Sequence, residues 1–198
     1  MRFRDDKSVS VMLLRGIQLI EENPSLRKVF DSLLLDESLY SHSSRVARIA
    51  IQIGLSLNFK DEKLLHLAVG GLLHDVGKLK IKRGILYKPT KLTDEEVLMI
   101  KKHPVDGYEM LKHTGVASEV LDIVKYHHEL IDGSGYGEGR SDVSILVQII
   151  TVADITSALT EARCYHVPLS VDSTLEYISK LNNINQGIVS VLKNLISD

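Results

Sequence analysis

The chain has 198 residues, 44% hydrophobic and 25% charged, and a formal net charge of −2. Such a chain forms one ordinary globular domain, at most two, and can bury a core without disulfides or a structural metal. A chain-wide basic footprint for a nucleic-acid polymer is excluded, and no apolar run approaches the ~20 residues of a membrane span. Cys164 is the single cysteine, which rules out an intrachain disulfide framework and fits a reducing compartment. The N-terminal MRFRDDKSVSVMLLRG lacks the long apolar stretch of a signal peptide, so a cytoplasmic location is expected.

In chain order, 9–22 and 25–35 read as helices separated by the breaker Asn23-Pro24. Over 38–57, His42, Val46, Ile49, Ala50 and Ile53 recur at steps of four and three, one helical face, with Asn58 as its stop. Residues 61–79 open on Asp-Glu and end in lysine, which complements a helix dipole at both ends. A short extended piece around 81–87 is the single strand candidate. Thr93 and Glu96 form a capping-box signature for a helix running to His103. Pro104 suits the first turn of the next helix, and Gly115 its end. Helices are further predicted over 117–129, 142–161 and, as a pair, 171–197, the region from Leu175 on being amphipathic packing. The fold expected is a single all-helical domain.

Several polar residues sit where such a fold would bury them. His74-Asp75 ends the apolar run AVGGLLHD, with Lys78 one turn on. They read either as a solvated helix end or as a buried group that must pair or bind something. His127 continues the apolar face of Val120, Ile123 and Val124, with His128 and Glu129 next to it. That triplet is either a polar helix terminus or a metal corner in which Glu129 orients an imidazole. Asp154 lies in QIITVADITSAL, where an unpaired carboxylate would cost several kcal/mol. A metal, a histidine or a structural salt bridge would each satisfy it. Together with His42 and His103, these are seven N/O donors and no thiolate. The set suits two hard, five- or six-coordinate ions better than one tetrahedral zinc.

His74-Asp75-Val-Gly-Lys78 resembles the HDxGK signature of the HD phosphohydrolases. HHELIDGSGYG, from His127 to Gly137, resembles the HHExxDGxGYP motif of their HD-GYP subfamily, the cyclic di-GMP phosphodiesterases. HSSRVA around His42, ILYKPTKLTDEE, KKHPVDGYEML around His103 and VADITSALTEARCY match in order and spacing from about 38 to 166. The resemblance implies an HD-domain helical bundle over 36–198, with 1–35 as a helical cap. It further implies a binuclear centre of iron or manganese. His42, His74, Asp75 and Asp154 would hold one ion; His103, His127 and His128 the other, with Asp75 bridging. Asp75 and Lys78 are the implied catalytic pair, Lys78 against the scissile phosphate, with a metal-bound hydroxide as nucleophile. Arg163 and Ala158 are the further implied substrate contacts. The loop residues Asp132, Gly133, Gly135, Tyr136 and Gly137 would form a rim able to dock a diguanylate cyclase domain.

Four positions depart from the family pattern. Gly137 replaces the proline of GYP, which predicts a looser loop. Ser157 stands where aspartate is common, which predicts a lost supporting contact. The segment Ala162-Arg163-Cys164-Tyr165-His166 is less basic than its counterpart. Ser38 replaces the glutamate of three-metal members, which favours two ions. The function expected is hydrolysis of cyclic di-GMP to pGpG and onward to GMP. The alternatives are a degenerate module that binds a cyclic dinucleotide or a protein partner with little turnover, and a phosphohydrolase of another nucleotide.

Overall fold

The computed structural model describes residues 7–161 and 168–197, and all regular structure among them is helical. Asn23 divides α1 (Lys7–Glu22) from α2 (Pro24–Leu34), its side-chain oxygen accepting the N–H groups of Ser25 and Leu26. Asp36 caps α3 (Glu37–Ser56) by accepting the Leu39 N–H. Asn58, at φ 54°, takes the left-handed conformation that ends that helix. The chain then reverses into α4 (Asp61–Leu73), antiparallel to α3. The two helices touch backbone to backbone at Gly71, where a Cβ would stand 2.6 Å from the Ala47 Cα. The reversal is what returns the end of α4 to the His42 end of α3.

The predicted helix over 61–79 is shorter than expected. It stops at Leu73, and a tightened 3-10 turn, Val76–Lys80, follows. The reason is a close crossing: a Cβ on Gly77 would run into the His103 carbonyl and the Gly107 N–H. The chain must leave the α-helical path to bring Gly77 against the next helices. The strand candidate is instead one helical turn, α5 (Arg83–Leu86). The local i to i+4 bond from the Leu86 N–H to the Lys82 carbonyl satisfies that backbone without any partner strand.

Thr93 and Glu96 complete the capping box of α6 (Asp94–Lys101), and Pro104 sits in the first turn of α7 (His103–Leu111). Next come α8 (Ser118–Tyr126), α9 (Ile145–Thr160), α10 (Val171–Ser179) and α11 (Gln186–Ser197). Helix α8 also ends earlier than the pattern over 117–129 suggests, so His127 and His128 lie in a turn.

Two apolar cores flank the α3–α4 pair. One gathers Ile20, Phe30, Leu33, Leu72, Val76 and Val124, so α1 and α2 share a core with α4 and α8. The other gathers Ile49, Ile53, Ile150, Ile178, Ile188 and Leu192 from α3, α9, α10 and α11. Burying one such side chain contributes roughly 1.5–3 kcal/mol, which holds the helix ends between the cores in fixed positions. Among the described residues no helix is long and apolar enough to cross a membrane.

Candidate metal centre

Five helices deliver side chains to one place: His42 from α3, His74 and Asp75 from the end of α4, His103 from the start of α7, His127 and His128 from the end of α8, and Asp154 from α9. The Asp75 carboxylate is fully buried at their centre. Its Oδ2 lies 3.4 Å from His74 Nε2 and 3.7 Å from His42 Nε2. Its Oδ1 lies 3.1 Å from His103 Nε2 and 3.8 Å from His127 Nε2. Asp154 Oδ1 joins the first group, 3.0 Å from His42 Nε2 and 4.0 Å from His74 Nε2. His128 joins the second, where one donor atom from each of Asp75, His103, His127 and His128 falls within 4.8 Å of all the others. The structure thus gathers all seven expected donors, split into two groups by the two oxygens of one carboxylate.

The imidazole orientations come from local geometry. His74, His103 and His127 each point Nδ1 at the carbonyl three residues back, those of Gly71, Ile100 and Val124, at 2.8, 2.7 and 3.0 Å. Donating Nδ1–H to a carbonyl sets the tautomer and directs the Nε2 lone pair inward. His103 and His127 therefore face each other with Nε2 atoms 3.1 Å apart, a pairing of acceptors that a bound cation or a shared proton would satisfy. The buried His74 Nε2, His128 Nε2 and Asp75 Oδ1 also have no hydrogen-bond partner. Buried polar atoms left this way cost about 1–3 kcal/mol each. The donor set fits metal ions.

Electrostatics agree at Asp75, Asp154, His127 and His128. Burial alone would raise the Asp75 carboxyl, but Lys78, His74 and His103 outweigh it and hold it well below the usual carboxylate range. Burial likewise opposes ionisation of Asp154, and the hydrogen bond and charge of His42 reverse the balance. Burial, with His128 and His74 beside it, pushes His127 well down. Burial brings His128 down to about 3 against the pull of Asp154. Ionised carboxylates and neutral imidazoles are the forms that ligate metals. His42 is the exception: burial disfavours its proton, yet hydrogen bonds to Asp154 and Glu161 raise it to about 9. A cation would have to displace that proton.

Lys78 lies within reach of the centre, with Nζ 2.6 Å from Asp75 Oδ2. Beside it opens a cleft of about 460 Å³, walled by Ser38, Leu86, Tyr87 and Glu161 and carrying the ammonium groups of Lys78, Lys88 and Lys91. Ala158 is not among the residues lining that cleft. It follows Asp154 by four residues and shares its face of α9. Arg163 lies outside the described residues.

Two expectations about HHELIDGSGYG need correction. Glu129 does not orient an imidazole. Its buried carboxylate accepts the backbone N–H groups of Glu138, Gly139 and Arg140. Nor is the loop loosened at Gly137. Asp132 turns it by accepting from the Ser134 N–H and hydroxyl. The Tyr136 N–H donates to the His128 carbonyl at 3.1 Å, and the Tyr136 ring stacks on His128 at 4.3 Å between centroids. Gly135 packs so close that a Cβ would meet the His128 carbonyl and the Glu129 Cα. Gly137 has φ 141°, and a Cβ there would meet Glu129 Oε1. Proline, fixed near −65°, does not fit this loop; glycine lets it close onto Glu129.

Two further supports went unread in the sequence. Asp36, besides capping α3, accepts a hydrogen bond from the Tyr87 hydroxyl, tying the cleft wall to that helix. Burial and Asp36 push the Tyr87 hydroxyl up. Glu161 Oε2 lies 3.3 Å from His42 Nδ1. Its signal was present in the sequence, since Asp154, Ser157 and Glu161 are spaced three and four apart.

The HD domain family matches residues 28–184. A cyclic di-GMP phosphodiesterase of Pseudomonas aeruginosa is 38% identical over 133 residues, which are 66% of this chain and 32% of that protein. A 3'3'-cGAMP-specific phosphodiesterase of Vibrio cholerae is 37% identical over 140 residues, 69% of this chain and 32% of that protein. The chain therefore spans about a third of the length of these curated relatives. Among solved structures, an HDGYP protein from Bdellovibrio bacteriovorus superposes with a TM-score of 0.69 at 18% identity. The match covers 99% of this chain and 67% of that one.

Proposed function

The chain belongs to the HD domain family, of the HD-GYP type, and on that premise we propose that it is a metal-dependent phosphodiesterase of cyclic dinucleotides. Cyclic di-GMP is the first substrate, opened to pGpG and then cleaved to GMP. The observation that carries this reading is Asp75, whose two oxygens face two separate groups of nitrogen donors beside a lysine-lined cleft.

Two ions, iron or manganese, fit those groups. His42, His74, Asp75 and Asp154 would hold one, and Asp75, His103, His127 and His128 the other. When bound, such a pair supplies Lewis acidity and an activated water for in-line attack at phosphorus. The chain's own residues do the rest. Lys78, fixed against Asp75, stands where a phosphate seated over the centre places its oxygens, and its ammonium offsets the charge gained at phosphorus. Lys91 and Lys88, the latter steadied by Glu96, present cations to a second phosphate along the cleft. The inward-facing Nε2 atoms are set before any ligand arrives, so little reorganisation remains for the reaction step.

Anaerobically purified protein, loaded with Mn2+ or Fe2+ and given cyclic di-GMP and 3'3'-cGAMP in parallel, should convert cyclic di-GMP to pGpG and GMP on chromatography. Faster turnover of the cyclic GMP-AMP hybrid would reassign the substrate. No turnover of either with either metal would leave a binding module.

A further inference from the structure

The departure at Ser157 predicts a lost support, yet the structure holds a carboxylate in the same neighbourhood. His42 sits in the interior of α3. Its Nδ1 faces Ser157 Oγ of α9 at 3.2 Å and, at 3.3 Å, Oε2 of Glu161, the residue that ends α9. Asp154, Ser157 and Glu161 fall on one face, at steps of three and four. The first meets His42 Nε2 at 3.0 Å and the other two meet Nδ1. His42 is thus gripped from both ring nitrogens by one helix face. Ser157 is fully buried and the Glu161 side chain is 17% exposed, at the cleft mouth.

We propose that Glu161 is the positioning residue of His42: its carboxylate, one turn beyond Ser157, accepts the Nδ1–H and thereby turns Nε2 toward Asp75 and Asp154. The carboxylate thus stands four residues beyond the position where the family pattern has aspartate. This rests on the metal reading above. Second partners of this kind fix the tautomer and the basicity of a ligating imidazole, and losing one costs about 10- to 100-fold in metal affinity. Glu161 touches neither ion nor substrate in this role.

The test compares Mn2+ binding by titration calorimetry in the wild-type chain, Glu161→Ala, Glu161→Gln, and the double variant Glu161→Ala with Ser157→Asp. Glu161→Ala should weaken one of the two Mn2+ sites about 10- to 100-fold and leave the other unchanged. Glu161→Gln, which keeps an acceptor oxygen but loses the charge, should fall between. The double variant should recover most of the affinity, because an aspartate at 157 brings a carboxylate back to the same Nδ1. Unchanged Mn2+ binding in Glu161→Ala overturns the assignment. So does failure of the double variant to recover, provided its circular dichroism matches the wild type. A wild-type chain that takes up no Mn2+ would instead overturn the metal reading, and the assignment with it. Normal Mn2+ binding without turnover would refute the phosphodiesterase and leave the assignment standing.

Discussion

The two sides of the candidate centre are held by different means. On the α7–α8 side, His103 at the start of α7 leans on the Ile100 carbonyl in the last turn of α6, and His127 leans on the Val124 carbonyl in the last turn of α8. Substituting other side chains leaves those acceptors in place. On the α3–α9 side, His42 lies within a helix and depends on Ser157 and Glu161. On that side the sequence leaves its family pattern at Ser38 and Ser157, as it does at Gly137 on the other. Orientation built from backbone resists sequence change; orientation built from side chains can be rebuilt one turn away.

The strongest way to break the contrast is to remove what the sides share. Asp75→Asn takes the charge from both donor groups and the partner from Lys78. Loss of Mn2+ uptake at both sites is expected, with a fall in kcat/KM of about 1,000-fold or more, near 4 kcal/mol in barrier height. Metal content and turnover measured on the same preparation check it. One ion retained at wild-type affinity would show that Asp75 does not bridge.

The second test separates the donors from the loop above them. Glu129→Ala removes the acceptor of three backbone N–H groups but no donor. Charge-assisted bonds of this kind contribute about 1.5–3 kcal/mol each, and the freed N–H groups of the largely exposed 138–140 segment recover part of that from water. A total of about 2–4 kcal/mol corresponds to a fall in Tm of roughly 5–15 °C for a chain of this size. Mn2+ uptake should survive at both sites. A Tm unchanged within 1–2 °C would mean that the loop is not held there.

These two outcomes also mark how far sequence reasoning reaches. Burial of His74, Asp75 and Asp154 on apolar faces demanded a partner but left a salt bridge or a solvated helix end open. The full donor set was legible only through the resemblance of its motifs to the HD-GYP pattern. The all-helical fold was legible from period alone. Helix ends were not: the patterns through His74 and His127 continue past Leu73 and Tyr126, where the chain bends to make the centre. Periodicity records which face is apolar and is silent about a close crossing such as that of Gly77 with the His103 carbonyl. The role of Glu129 was misread for a related reason. A carboxylate beside two histidines is equally apt for an imidazole or a backbone N–H, and the path of the following loop decides between them.

The smallest expected effect bears on that loop most directly. Gly137→Pro restores the residue of the family motif, and by pattern alone it should stabilise. In this structure it should do the reverse. Its φ would have to leave 141°, and the 138–140 N–H groups would then no longer converge on Glu129. The expected cost is about 1–3 kcal/mol, with faster amide exchange confined to 138–140. Gly137→Ala keeps the N–H but places a Cβ against Glu129 Oε1, so it should lose stability too. If the proline variant instead gained stability while alanine lost it, the loop would have a second closed form, with proline at 137 and Glu129 satisfied by other donors. The α7–α8 side of the centre would then be rebuilt in its loop as the α3–α9 side has been rebuilt in its carboxylate.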